Sequence, residues 1–75
     1  MDISRRIMQC EDDIRRKQLY IDREQSYYDL VRLREPAAAF YHKQNIAMYK
    51  NQISMLDNQL RKLKEMEKME EDKNV

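Results

Sequence analysis

The chain has 75 residues, of which 39% are charged and 41% hydrophobic, with no glycine, one proline and one cysteine. A chain of this length forms at most one domain and buries only a small core by itself. The lack of glycine excludes sheet proteins, whose tight turns need residues that tolerate positive φ, and favours an all-α fold. The balance of 15 Lys and Arg against 14 Asp and Glu argues against a nucleic-acid or membrane-surface ligand.

Hydrophobic residues in the first half of the chain recur in alternating steps of four and three, the spacing of a helix with one buried stripe. They are Ile3, Ile7, Cys10, Ile14, Ile21, Tyr28 and Val31. Lys17 and Glu24 interrupt this stripe, and either Asp2 or Ser4 can cap the start of the helix. The pattern predicts a first helix over about residues 3–34.

A second stripe with the same spacing follows and is richer in large hydrophobic residues. It consists of Ala39, His42, Ile46, Tyr49, Ile53, Leu56, Leu60 and Leu63. Pro36 disfavours helical geometry at Glu35 and suits a first helical turn, so the chain should turn near Glu35-Pro36. We predict a second helix over about residues 36–70, with a frayed tail over 70–75 because acidic residues oppose the dipole at a helix C-terminus.

The two stripes are in register for an antiparallel pairing in which the numbers of facing residues sum to 70. The predicted contact residues of this seam are Ile7, Cys10, Ile14, Ile21, Tyr49, Leu56, Leu60 and Leu63. The sequence therefore predicts an all-α, coiled-coil-like antiparallel hairpin of two helices. Lys17 and Glu24 would face Ile53 and Ile46 across this seam, and there we expect the hairpin to be splayed or wet.

A second set of hydrophobic residues is not needed for the seam. Tyr20 and Tyr27 are one heptad apart, as are Tyr41, Met48 and Met55. Tyrosine and methionine are typical of surfaces that associate with other proteins, and two paired helices alone bury little area. We predict that a partner binds here, and the alternative is that these residues thicken the hairpin core. The predicted partner-binding residues are Phe40, Tyr41, Met48, Met55, Tyr20 and Tyr27.

Nothing in the sequence predicts an enzyme, a cofactor or a metal site. Without glycine the chain has no phosphate-binding loop, and one cysteine with one histidine cannot fill a zinc site. We interpret Cys10 and His42 as structural seam residues. The lone cysteine suits a reducing compartment, and no apolar run is long enough to span a membrane, so we expect a cytoplasmic protein.

The segment from Glu35 to Gln44, with the heptad helix that follows it to Leu63, resembles the second half of the small YscE/SsaE-type co-chaperones of type III secretion systems. In that family a proline opens the second helix, and an aromatic residue and a glutamine follow. The matching positions here are Pro36, Phe40 or Tyr41, and Gln44. The resemblance covers about half of the chain, and the first helix matches only in being charged and amphipathic.

The resemblance implies a small helical hairpin that binds a larger tetratricopeptide-like chaperone in the bacterial cytoplasm. Together the two would keep the needle subunit of the secretion apparatus, a virulence device, monomeric before export. Two alternatives stay open. The hairpin could pair with itself as an antiparallel four-helix scaffold, or it could inhibit a partner by inserting into its groove.

Overall fold

The chain folds into two helices that pack against each other over most of their length. A computed structural model describes the backbone of residues 2–73 and the side chains of residues 2–71. Its elements are α1 (Ile3–Val31) and α2 (Pro36–Lys73). The helices run antiparallel and form a rod of 62 × 15 × 14 Å. The predicted all-α helical hairpin is confirmed.

Asp2, one of the two candidate caps, begins α1. Its backbone is extended, and its carboxylate accepts a hydrogen bond of 3.0 Å from the Ser4 backbone N–H. Ser4 lies inside the helix, where its hydroxyl donates to Glu67 Oε2 of α2 at 2.7 Å. The start of α1 is therefore both capped and tied to the far part of α2.

The first helix is shorter than the sequence predicted, and the loop that joins it to the second helix is longer. α1 ends at Val31 rather than at residue 34, and the turn that follows is closed by hydrogen bonds from the N–H groups of Arg34 and Glu35 to the Val31 carbonyl at 3.1 and 2.8 Å. Glu35 lies outside both helices, as expected for a residue before proline. Its carbonyl accepts from the Ala39 N–H at 3.0 Å and so starts α2. No residue in the range 2–73 has a positive φ, which explains how the chain turns without glycine.

α2 continues to Lys73, three residues beyond the predicted end at residue 70. The segment after Leu63 contains neither proline nor glycine, and its Lys and Glu residues recur at helical spacing, which supports a solvated helix. The backbone of residues 70–73, which belongs to the predicted frayed tail, is thus helical in the structure. Residues 74 and 75 lie outside the described part of the chain.

The core lies in the seam and is one side chain thick. Ile3, Ile7, Cys10 and Leu63 form a buried cluster at the open end of the hairpin. Ile14, Leu56 and Leu60 pack against that cluster, Ala39 and Ile46 are buried nearer the turn, and Ile21 and Tyr49 are half-buried between them. Among the side chains of residues 2–71, none is completely enclosed. The fold therefore rests on one layer of partly covered contacts.

The polar residues of the seam find partners instead of opening it. Glu24 Oε2 lies 2.5 Å from His42 Nδ1, and both side chains are mostly covered. Ile46, which faces Glu24 in the predicted register, is buried, so the expected splaying there is wrong. Lys17 Nζ binds Asp13 Oδ1 on its own helix at 3.0 Å. The imidazole thus supplies a polar partner from the opposite helix, which the analysis of stripes alone did not include.

Candidate protein-interaction face

Residues from both helices form each side of the hairpin. The residues that line each surface groove show which of them share a side. One groove of about 230 Å³ lies near the open end, with Arg6 and Asp13 of α1 opposite Gln59 of α2. A neighbouring groove adds Lys62 and Met66 to Arg6 and Gln59. Arg6, Gln59 and Met66 therefore lie on the same side of the rod.

The tyrosines of α1 extend this side toward the turn. Arg6, Asp13, Tyr20 and Tyr27 are spaced by one heptad each, and residues at this spacing lie above one another on a helix. Since Arg6 and Asp13 line the groove, Tyr20 and Tyr27 continue the same flank. Tyr27 is 47% exposed, whereas Tyr20 is half-buried against Tyr49, with ring centroids 5.5 Å apart.

The methionines of α2 form the other half of this side. From Tyr41 onward, the positions in steps of four and three carry large apolar side chains, amides and one lysine, and they alternate between apolar and amide as far as Gln59. The apolar members are Tyr41, Met48, Met55, Met66 and Met69, and the polar members are Asn45, Gln52, Gln59 and Lys62. We call the set of Tyr20, Tyr27, Tyr41, Met48, Met55, Met66 and Met69 the methionine–tyrosine face.

The methionine–tyrosine face is open to solvent along its length. The exposed fraction is 61% for Tyr41, 45% for Met48, 65% for Met55 and 45% for Met66. Isolated exposed hydrophobic residues are normal on any protein, but a line of them on one side of a thin rod is not. Methionine adapts to irregular surfaces, and tyrosine supplies a large contact area at a small rotamer cost. The arrangement is typical of a surface that another protein covers.

Near the turn, His42 holds two of the three tyrosines of the face together. The Tyr27 ring stacks on the imidazole at 5.4 Å between centroids, and the Tyr41 ring meets it edge-on at 5.5 Å. Glu24 holds the imidazole from the opposite helix. His42 therefore organises the aromatic end of the face, a role that goes beyond filling the seam.

One of the predicted partner-binding residues lies on a different flank, and another is only partly exposed. Phe40 is 61% exposed but lies one residue, and so about 100°, away from Tyr41 around the helix. It belongs to the other flank and is not part of one stripe with Tyr41, Met48 and Met55. Tyr20 lies on the predicted side, but part of its ring already packs within the hairpin, and the Arg23 guanidinium lies 5.3 Å from its centroid.

Met66 and Met69 belong to the face although the sequence analysis did not include them. Met66 lines a groove with Arg6 and Leu63. Met69, three residues farther along α2, is 61% exposed. Both continue the four-three spacing that links Met55, Gln59 and Lys62. In sequence the two methionines lie among charged residues, and only the helical spacing shows that they continue the line of exposed apolar side chains.

The opposite flank differs in chemistry. Its groove is lined by Gln25, Lys43 and Lys50 above the seam residues Tyr28 and Ile46. Farther along the same flank, Lys64 Nζ lies 3.9 Å from Glu11 Oε2. The hairpin thus has one side with a row of exposed methionine and tyrosine side chains, and another that carries ammonium, carboxylate and amide groups together with the exposed ring of Phe40.

Cys10 is a buried donor. Its thiol donates to the Leu56 carbonyl oxygen at 3.3 Å, which fits a small residue packed between the helices. Burial raises the pKa of the Cys10 thiol, and the negative charges of Asp13, Asp57 and Glu11 raise this pKa further. A thiol held in its protonated form is a poor nucleophile.

Among the described residues, no three or more His, Cys, Asp and Glu side chains are grouped to hold a metal ion. Within residues 2–73, neither helix combines the length and the apolar composition needed to cross a membrane. Comparison with protein-family models, with curated proteins and with solved structures finds no match to this chain.

Proposed function

We propose that the hairpin is a small co-chaperone that binds a larger helical chaperone through its methionine–tyrosine face. The observation that carries this proposal is the exposure of Tyr41, Met48, Met55 and Met66 along one side of the rod. The opposite side carries charged and amide groups, with Phe40 as an exposed aromatic residue among them. The methionine–tyrosine face is therefore the longer line of exposed apolar side chains and the one suited to burial against another protein.

A helical, tetratricopeptide-like partner fits the shape and chemistry of this face. Arrays of stacked helix pairs form extended concave surfaces, and a rod about 15 Å thick can lie along such a surface. The amides of Asn45, Gln52 and Gln59 recur between the methionines and can hydrogen-bond to polar groups at the rim of a partner groove. The role is one of binding, with no catalytic step and no cofactor.

The identity of the cargo in this proposal, a needle subunit, comes from the resemblance of the segment around Pro36 and Gln44 to type III co-chaperones. The complex would act in the bacterial cytoplasm and keep a needle subunit monomeric before export. A needle subunit exposes apolar helix surface that polymerises prematurely unless it is covered. In this arrangement the hairpin stabilises the larger chaperone, and the larger chaperone grips the cargo.

The test is coexpression of the chain with a tetratricopeptide-like chaperone and a needle subunit of a type III secretion system, followed by measurement of the complex mass by light scattering. We expect a stable complex with wild-type chain and loss of the complex with Met48→Glu/Met55→Glu. The matched control is Ala47→Glu/Ser54→Glu, because both residues are exposed one position before the methionines. Equal binding by the two double variants would contradict the proposal, as would a needle subunit that stays monomeric without the hairpin.

A further inference from the structure

The free hairpin exposes more surface than a compact protein of its mass. Its accessible surface is 6332 Å², whereas a globular monomer of 9.3 kDa exposes about 5,000 Å². The excess of about 1,300 Å² exceeds the roughly 800 Å² that one partner buries in a standard interface. The chain could therefore bury about 800 Å² of one side of the rod and still expose as much surface as a globular monomer of the same mass.

The two ends of the methionine–tyrosine face complement each other. The turn end carries the rings of Tyr27 and Tyr41, which flank His42. The open end carries a groove of about 230 Å³ lined in part by Arg6 and Gln59. An aromatic ring beside a guanidinium is a favourable contact, and the hairpin already uses it where Arg23 lies over Tyr20. One end thus offers rings, and the other offers a groove with a cation.

These features are placed symmetrically along the rod. Arg6 lies three residues after the start of α1 at Ile3, and Tyr27 lies four residues before its end at Val31. The middle of α1 is Lys17, which faces Ile53 of α2 in the predicted register. On α2, Tyr41 and Met66 lie at nearly equal distances from Ile53, twelve residues before it and thirteen residues after it. A two-fold axis through the middle of the rod would bring each ring of one copy to the groove of another.

We propose that two copies of the free chain pair antiparallel, side by side, through the methionine–tyrosine face and form a four-helix dimer. The interface is isologous, because Arg6 of one copy meets Tyr27 of the other and the same contact recurs at the opposite end. The net charge of +1 adds almost no long-range repulsion to this pairing. The polar flank with Lys43 and Lys50 remains at the surface of the dimer.

The inference rests on the proposed function in one respect, since the helical chaperone would displace the second copy from the same face. Self-pairing would then cover the methionines until the partner arrives. The two claims fail separately. A chain that is monomeric when alone but needs Met48 and Met55 for the chaperone would overturn the dimer and leave the proposed function intact.

The first experiment is light scattering coupled to size exclusion on the full chain, loaded at concentrations from about 5 µM to about 500 µM. We expect twice the chain mass of 9.3 kDa for the wild type and for Ala47→Glu/Ser54→Glu. The variant Met48→Glu/Met55→Glu should dissociate, with affinity reduced roughly 100-fold or more. Circular dichroism on each variant checks that the helices remain.

The second experiment tests the orientation of the copies by disulfide trapping in a Cys10→Ser background. Arg6→Cys and Tyr27→Cys chains are mixed and oxidised, and we expect the mixed 6–27 disulfide to form faster than either symmetric one. Three results would overturn the inference: a monomer at the highest concentration, a dimer that survives Met48→Glu/Met55→Glu, or preferential 27–27 trapping. The last result would indicate parallel pairing.

Discussion

Replacing Leu63 by alanine tests whether the buried cluster at the open end holds the hairpin together. Leu63 is 8% exposed and packs with Ile3, Ile7 and Cys10. The change removes three carbon atoms, and at about 0.8 kcal/mol for each buried methylene the loss is about 2 kcal/mol. A closed cavity would add to this value, but Leu63 also lines a groove open to solvent, so we expect the low end of the range for buried leucines.

The assay is urea unfolding followed by circular dichroism at one fixed protein concentration, since association shifts apparent stability. Leu19→Ala is the matched control, because Leu19 lies in the same hairpin but is 65% exposed. The control should change the free energy of unfolding by less than about 0.5 kcal/mol. Leu56→Ala should fall between the two, because Leu56 is only partly buried. The assigned core would be refuted if Leu63→Ala and Leu19→Ala had the same effect.

Three further changes test local features of the hairpin. Because the pKa of the Cys10 thiol is raised in the folded protein, its contribution to stability is complete below the pKa of the unfolded thiol and is lost as the pH rises through the folded pKa. In Cys10→Ser the free energy of unfolding should no longer fall in this alkaline range. An unchanged pH profile of the free energy of unfolding would contradict the assignment. Glu24→Gln and His42→Gln should be non-additive by about 1 kcal/mol in a double-mutant cycle of urea unfolding, and additive effects would argue against a contact that contributes to stability. Asp2→Ala should cost about 1 kcal/mol through loss of the cap on the Ser4 N–H, measured in the same assay, and a negligible loss would mean that the cap is replaced by water.

The architecture could be predicted because two strong local signals agree with each other. The four-three spacing around Ile7 and Leu63 requires helices, and the restriction that Pro36 imposes on Glu35 fixes the turn. With the turn in place, the register follows, and the contacts of Ser4 with Glu67 and of Glu24 with His42 fall close to it. Local and long-range preferences point to the same fold.

The differences arise where a side chain acts outside its own stripe. In the hydrophobic stripes Glu24 and His42 are two polar interruptions, whereas in space they are partners across the seam. Hydrophobicity alone groups Phe40 with Tyr41, although adjacent residues lie about 100° apart around a helix. The neighbours of Met66 in sequence are charged, while its neighbours on the helix surface continue the face.

The position of the single turn, at residues 32–34, also determines the order in which contacts between the two helices form during folding. Residues that face each other next to the turn in the predicted register, such as Val31 and Ala39, close a loop of a few residues, whereas Ile7 and Leu63 are separated by most of the chain. Closure near the turn costs the least entropy, and each later layer adds only a small increment, so the helices should join from the turn toward the open end. Substitutions at Ala39 would then slow folding, while substitutions at Leu63 would accelerate unfolding. The rod opens first at the end where its largest buried cluster lies.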